Sequence, residues 1–482
     1  MSKEILINIT PQETRVAILE NGMLHELYIE RRRNKGLVGN VYRGKVVRVL
    51  PGMDAAFIDA GLDKAAFLHV SDIADHDEQG NGQRPINQIL HEGQDIMVQV
   101  IKDPMGTKGA RLTTNVTIPS RYLVFMPNTD IIGVSSRIDN EEVRERLRQL
   151  IAEQPDRNEG VGYIIRTAAE IATEASIASD IRYLNRVWEE IRTSDVKPGQ
   201  VVHKDLPLYL RVIRDMVDES LEEILVDSRD TCSVMKEFCD KYVPEVAGLI
   251  QHYRGERPIF DLHAVEDEIQ KALNKKVHLK SGGYLIIDQT EAMTTIDVNT
   301  GAYVGSRNLE ETIFKTNLEA AQAIARQLRL RNLGGIIILD FIDMQLEDHK
   351  RLVMRALEKA LERDHARTQV CEVSPLGLIE MTRKRTRESL EHVLCEECPT
   401  CEGRGTVKTA ETVCYEIFRE ILREARQFDA RELLVLASQE VVDLLVDEES
   451  SSLAELEDFI EAPIKLQVEA MYTQQQYDVV IL

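Results

Sequence analysis

The chain is short of several features that would place it in a special class. Glycine and proline are sparse, 26 and 14 of 482 residues, which excludes collagen-like, mucin-like and wholly disordered readings. Long apolar runs are missing: purely aliphatic stretches such as Ile336–Leu339 fall far short of the ~20 residues a membrane-spanning helix needs. The opening Met1-Ser2-Lys3-Glu4 leads into a short strand-like run, not a signal-peptide core, so a cytoplasmic protein with no membrane partner is expected. A disulfide framework is also missing. Of seven cysteines, three crowd together as Cys395, Cys398 and Cys401, while Cys232, Cys239, Cys371 and Cys414 are scattered. No internal repeat is present.

What remains is a globular, multidomain composition. Hydrophobic residues make up 43%, enough for several cores, and a length of 482 residues suggests about three domains at roughly 150 residues each. With 59 Lys plus Arg against 82 Asp plus Glu, the net charge is −23. Taken as an average, that argues against a long nucleic-acid ligand. Cations are nevertheless dense in Glu30–Lys35, Arg326–Arg331 and Arg383–Arg387. Each cluster reads either as a phosphate-binding patch or as a solvated helix face.

The patterning gives an α/β multidomain organisation. Residues 1 to 33 alternate as a small antiparallel meander, too short to stand alone and expected to join a later segment. Between 35 and about 115, five short strands broken by turns such as Pro51-Gly52 and by a polar loop from Ala74 to Pro85 suggest a small β-barrel of the oligonucleotide-binding kind. A mixed region follows, with strands at Tyr122–Met126 and Gly162–Thr167 and helices near Glu141–Glu153 and Ile181–Arg192. From about 275 to 386 the pattern is α/β: strands through Ile286 and Ile296, a helix from about Asn317 to Arg331 stopped by Gly334-Gly335, and a continuous apolar run at Ile336–Asp343 that reads as a buried strand. Asp348 is expected to cap the next helix. The last stretch holds a helix at Cys414–Arg426 and strands ending at Leu482.

Two acids sit where apolar strands end, Asp297 and Asp340, although Asp disfavours strand interiors. A strand, a crossover helix and a second strand would set both tips side by side on one sheet edge. Two carboxylates there make a hard-oxygen site suited to Mg²⁺. Asn299, two residues along, shares the face of Asp297, and Asp343 lies nearby; the alternative is loop-capping aspartates. Cys395-x-x-Cys398-x-x-Cys401 before a Gly-rich turn reads as a zinc knuckle, with His392 or a second chain completing the ligands, or as free thiols. Phe57 and Phe67 could stack on bases or fill the barrel core. Lys108 and Arg111 flank the barrel as phosphate contacts, and Arg166-Thr167 could hold a terminal phosphate by a guanidinium fork and a hydroxyl.

These residues resemble the bacterial ribonuclease E/G family along the full length. The match is densest in Ser281–Met344 (including Thr294–Thr300, Arg326–Arg331 and Ile338–Met344), in Leu378–Glu388 and in Cys398-Pro399-Thr400-Cys401. The resemblance implies an RNase H-like fold from 1–34 and 209–275, an S1 RNA-binding barrel at 35–117, a 5′ sensor at 118–208, a DNase I-like catalytic subdomain at 276–394, a zinc link at 395–411 and a small dimerisation-type domain at 412–482. It makes Asp297 and Asp340 the Mg²⁺ ligands with Asn299 as supporting catalytic residue. It puts Arg166 and Thr167 in the 5′-monophosphate pocket and Phe57, Phe67 and Lys108 on the RNA-contacting face. It makes Cys398 and Cys401 half of a zinc site shared by two subunits, with pairing of dimers into tetramers left open; Cys395 is extra to that motif. The implied activity is Mg²⁺-dependent endonucleolytic cleavage of single-stranded, AU-rich RNA to 5′-phosphate and 3′-hydroxyl ends, stimulated by a 5′ monophosphate. The implied substrates are the 16S rRNA precursor and some mRNAs. Lack of a long disordered tail favours the shorter G type; the alternatives are an E-type catalytic core and a non-catalytic RNA-binding scaffold.

Overall fold

The structure, a computed structural model, describes the chain except residues 1, 33–35, 75–84, 105–107, 139, 159, 219, 302–308, 386 and 429–430 and the side chain of residue 171. It divides into two compact units, Met1–Leu390 and Glu391–Leu482.

The larger unit is built on four sheets. In the first, the N-terminal meander Lys3–Ile9, Glu13–Glu20 and Met23–Arg31 is completed by Leu221–Val226 and Ile250–His252. Lys3–Ile9 pairs in parallel with Leu221–Val226, so the opening segment does join a distant one. Its apolar side chains have no other way to be covered.

The second sheet is the barrel. Strands Val41–Leu50, Ala55–Asp59, Ala66–His69, Asp95–Lys102 and Arg111–Thr113 close where the first pairs with Asp95–Lys102. A sixth strand from far along the chain, Gln200–His203, adds to Val41–Leu50. Gly61, at φ +72, lets two chain segments touch: a Cβ there would lie 1.9 Å from the Gly199 carbonyl oxygen. Most of the polar loop anticipated between Ala74 and Pro85 lies outside the described residues.

The third sheet (Ile118–Pro119, Leu123–Met126, Ile132–Val134, Gly162–Ile165) is backed by helices Glu141–Ala152 and Glu174–Thr193. The rings of Phe125, Tyr163 and Trp188 meet in its core.

The fourth sheet has six strands in the order Lys276–His278, Tyr284–Gln289, Met293–Asn299, Gly335–Asp340, Ile379–Arg383, Thr368–Val373. Only Met293–Asn299 and Gly335–Asp340 run in parallel. The helix Leu309–Leu330 crosses over between them and lies with Glu347–Leu361 on one face. Along Met293–Asn299, Thr294, Ile296 and Val298 are buried while Met293, Thr295 and Asp297 are exposed. The period of two fits a sheet covered on one side only.

Three expectations here need correction. The Ile336–Asp343 run is not a strand buried on both faces: it ends at Asp340, and Ile336 is exposed, because helices cover a single face. The crossover helix begins at Leu309, not near Asn317. Its inward side carries Thr312, Thr316, Asn317, Gln327 and Arg329, so polar residues hide the apolar stripe. Asp348 does not cap Glu347–Leu361. The N-cap residue is Leu346, which offers no side-chain bond, and the Glu310 carboxylate accepts from the N–H groups of Gln345 and Leu346.

The smaller unit follows the cysteine segment with the helix Ala410–Gln427 and a three-stranded sheet in the order Ile464–Val468, Leu433–Ala437, Tyr477–Ile481. Helices Gln439–Val446 and Ser450–Ile460 complete it, and Cys414 is buried in its core. It holds 21 acidic and 7 basic side chains, a net of −14, which leaves −9 for the larger unit. Among the described residues no helix is long and apolar enough to cross a membrane.

Candidate active site and nucleic-acid interface

Parallel pairing puts Asp297 directly opposite Asp340 on the sheet face away from the helices. Both are exposed, and among the described residues neither has an ion-pair partner. Two carboxylates side by side resist ionising together. The Asp340 carboxyl accordingly lies above its usual range, through partial burial first and then the negative charges of Asp297 and Asp343. Asn299 donates from Nδ2 to Oδ2 of Asp297 at 2.8 Å and so fixes that carboxylate's rotation. Among the described residues no group of three or more His, Cys, Asp or Glu is arranged to hold a metal. The pair fits an ion that takes one or two carboxylates and keeps its waters, which is the habit of Mg²⁺.

The loop after Asp340 is clamped from the crossover helix by residues that sequence reading passed over. Fully buried Asn317 donates to the Ile342 carbonyl at 2.8 Å and accepts from its N–H at 3.2 Å. Glu310 holds Gln345, Leu346 and the His349 ring, which stacks on Phe314 at 4.1 Å. A polar side chain at a helix position facing the sheet is the signal that could have found Asn317. A surface cavity of about 420 Å³, lined by Ile336, Thr382 and Arg383 among others, lies at the far end of the Asp340 strand and is separate from the acid pair.

On the barrel, Phe57 and Phe67 face each other across paired strands, their rings 6.2 Å apart in an edge arrangement. Both are half-buried and outside the barrel core, which leaves ring surface available for stacking. His69, not singled out from sequence, lies 6.5 Å from Phe67 with Nδ1 at 2.8 Å from the Ser71 hydroxyl; its place two residues along the strand was the available signal. Lys108 is exposed. Arg111 pairs in register with Phe67, but its guanidinium is committed to Asp72 through Nε and Nη2, at 2.9 and 2.8 Å. A phosphate there would meet only the donors that Asp72 leaves over.

Arg166 ends the strand Gly162–Ile165 and caps a short 3-10 helix, Thr167–Ile171. Its guanidinium donates to the Ser120 carbonyl at 2.5 Å and to Oδ1 of Asp215 at 2.8 Å. The Thr167 hydroxyl lies 3.2 Å from that of Ser135.

In the smaller unit Cys395 and Cys398 are exposed and Cys401 half-exposed, all as free thiols. Backbone N–H groups of Cys401 and Thr400, with the Cys401 side chain, hold the Cys398 thiol below its ordinary value, as a thiolate ligand requires. Two such sulfurs would make up half of a tetrahedral zinc site.

Several arginines of the cation-rich clusters are taken up by contacts within the protein, while Arg32, Lys384 and Arg385 are exposed. Arg329, buried, donates to Glu20 and Glu26, each at 2.7 Å. Burial would raise Glu26, but Arg329, His365 and the Tyr28 hydroxyl outweigh it and hold the carboxyl at about 2. Burial pushes His25, beside the same guanidinium, down to about 4. Arg383 is paired with Asp364 in the interior, and Arg387 lies 3.8 Å over the Tyr28 ring. The first cluster extends into 33–35, outside the described residues, but Arg31 pairs with Glu13. Arg329, on the crossover helix, and Arg387, which donates to the Leu27 carbonyl, tie the N-terminal sheet to the fourth-sheet region.

Residues 117–386 match the Ribonuclease E/G family, residues 37–115 the S1 RNA binding domain and residues 397–481 the RNase E/G thioredoxin-like domain. Along its whole length the chain is 58% identical to ribonuclease G of Escherichia coli (strain K12), with all of that protein covered. It is 53% identical to ribonuclease G of Haemophilus influenzae, over 99% of each chain. It is 36% identical to ribonuclease E of Escherichia coli (strain K12), over 94% of this chain and 44% of that one.

Proposed function

Because this chain belongs to the ribonuclease E/G family, we propose that it is a Mg²⁺-dependent endoribonuclease that cuts single-stranded RNA by hydrolysis. That it is an endoribonuclease with an S1 RNA-binding domain follows from its relatives and its family matches. The metal, the specificity and the assembly are our reading. The observation that carries it is the register pairing of Asp297 with Asp340 on an open sheet face.

When bound between these acids, Mg²⁺ supplies Lewis acidity at a phosphodiester. Asp297 and Asp340 hold it as anionic hard-oxygen donors. Asn299 keeps Asp297 aimed, and Asn317 and Glu310 keep the Asp340 loop in place. Water adds at phosphorus and the 3′ oxygen leaves, which yields 5′-phosphate and 3′-hydroxyl ends. Phe57, Phe67 and His69 stack on bases, sequence-tolerant contacts suited to a single strand, and Lys108 meets the backbone. Arg166 and Thr167 receive a 5′ monophosphate. By the same resemblance the substrates are AU-rich: the 16S rRNA precursor 5′ end and mRNAs. The N-terminal sheet is RNase H-like, the fourth sheet DNase I-like, and Cys398 and Cys401 share a zinc ion with a second subunit in a cytoplasmic homodimer.

The test uses a 5′-monophosphorylated oligonucleotide with the ends mapped. Asp297→Asn and Asp340→Asn should each abolish cleavage while RNA binding persists, and chelator should do the same to the unaltered protein. Normal cutting by either variant would refute the assignment.

A further inference from the structure

We propose that Asp215 is a positioning residue: it presets the Arg166 guanidinium for a 5′-terminal phosphate. The inference rests on the sensor reading of Arg166 given above.

A guanidinium has five N–H donors in one plane. On Arg166 the Ser120 carbonyl takes one at Nη1 and Asp215 takes one at Nη2. Two acceptors at separate nitrogens fix the plane and leave three donors. The Arg166 side chain is 28% exposed, so an anion can reach them.

Both acceptors are themselves held. Asp215 receives a two-pronged contact from Arg214, Nε at 3.1 Å and Nη2 at 2.9 Å. Arg214, buried, also donates to Asp205 at 2.8 Å, and the Asp205 N–H donates to Asn40 at the base of the barrel at 2.9 Å. Ser120 is pinned from the other side, its hydroxyl donating to buried Asp180 at 2.5 Å, beside the Tyr122 N–H at 2.8 Å.

The charges of Arg166, Arg214, Asp205 and Asp215 balance before any phosphate arrives. Arg214 meets Asp215 in a planar fork-to-fork contact and is shared with Asp205; burial alone would raise the Asp215 carboxyl, but Arg214 and Arg166 outweigh it and hold it below its ordinary value. Asp215 therefore orients Arg166, and the three donors left over are the ones a phosphate would meet. An unheld arginine would have to lose much rotamer freedom on meeting the phosphate; here that cost is met in the folded protein.

The experiment uses the full chain and one oligonucleotide carrying either a 5′ monophosphate or a 5′ hydroxyl. The readout is the ratio of kcat/KM on the two. Asp215→Ala should bring the ratio down roughly tenfold or to unity, chiefly through KM on the phosphorylated substrate. Asp215→Asn, which keeps an acceptor oxygen for Arg166, should retain part of the advantage. Arg166→Ala serves as the reference. If it keeps the wild-type ratio, the sensor reading itself fails. If it loses the ratio while Asp215→Ala keeps it, the positioning role is overturned. Equal losses on both substrates in Asp215→Ala and Asp215→Asn overturn it as well, since that is the mark of general destabilisation.

Discussion

Replacing Asp340 by Asn tests the acid pair without relying on turnover. Neighbouring strands lie about 4.8 Å apart, and Asp297 and Asp340 are exact register partners on one face, so their carboxylates are on the order of 5–6 Å apart. In water-like screening two unit charges at that distance repel by about 0.7 kcal/mol. Both groups are exposed, so this low end applies. Removing one charge in chelator should stabilise the larger unit by that amount, about 1 °C in Tm for a unit of this size. Mg²⁺ should reverse the order. For a dissociation constant on the order of 1 mM, 10 mM Mg²⁺ adds about 1.4 kcal/mol to a protein that binds it, and only the unaltered pair does. Differential scanning calorimetry with chelator and with Mg²⁺ should show the two melting curves exchange places. Equal Mg²⁺ shifts in both proteins would refute the metal assignment, whatever cleavage assays show.

Asp180 offers a pH test. Burial pushes its carboxyl up to about 6, more than its hydrogen bonds from Ser120 and Tyr122 pull it down. A folded-state value above the ordinary 3.8 means the folded protein binds the proton more tightly. The ionised group thus costs up to about 3 kcal/mol above pH 6, and that cost disappears as the pH falls toward 4. Asp180→Asn should match or exceed the wild-type Tm at pH 7.5 and lose its advantage near pH 4–5; parallel pH curves would contradict this. Replacing Cys398 and Cys401 with Ser should release zinc, read by metal analysis, and move the sedimentation coefficient toward the monomer. Unchanged metal content and mass would exclude the shared site.

Much of the layout was legible because local rules carry it. The five barrel strands follow from alternation and turns, and the crossover geometry that sets Asp297 beside Asp340 follows from a strand, a helix and a strand in sequence. What failed to show were polar residues that face inward. Thr312, Thr316 and Asn317 concealed the first two turns of the crossover helix, and the N-cap position expected of Asp348 is held by Leu346, with Glu310 fixing the backbone just before the helix. The Asp72 partner of Arg111 was not legible because it lies 39 positions away in the chain. The net charge misled for a related reason: −14 of the −23 belongs to the smaller unit, and the barrel and the acid pair belong to the larger one.

Sequence alone determined which strands carry carboxylates at their tips, which segment forms a barrel and where the paired thiols lie, since each depends on neighbours a few residues away. Tertiary structure decided the fate of the arginines. Arg329, Arg383 and Arg387 became interior braces and Arg166 a held but accessible donor, because a guanidinium's role depends on which acceptors folding brings to it, and those lie tens to hundreds of positions distant in the chain.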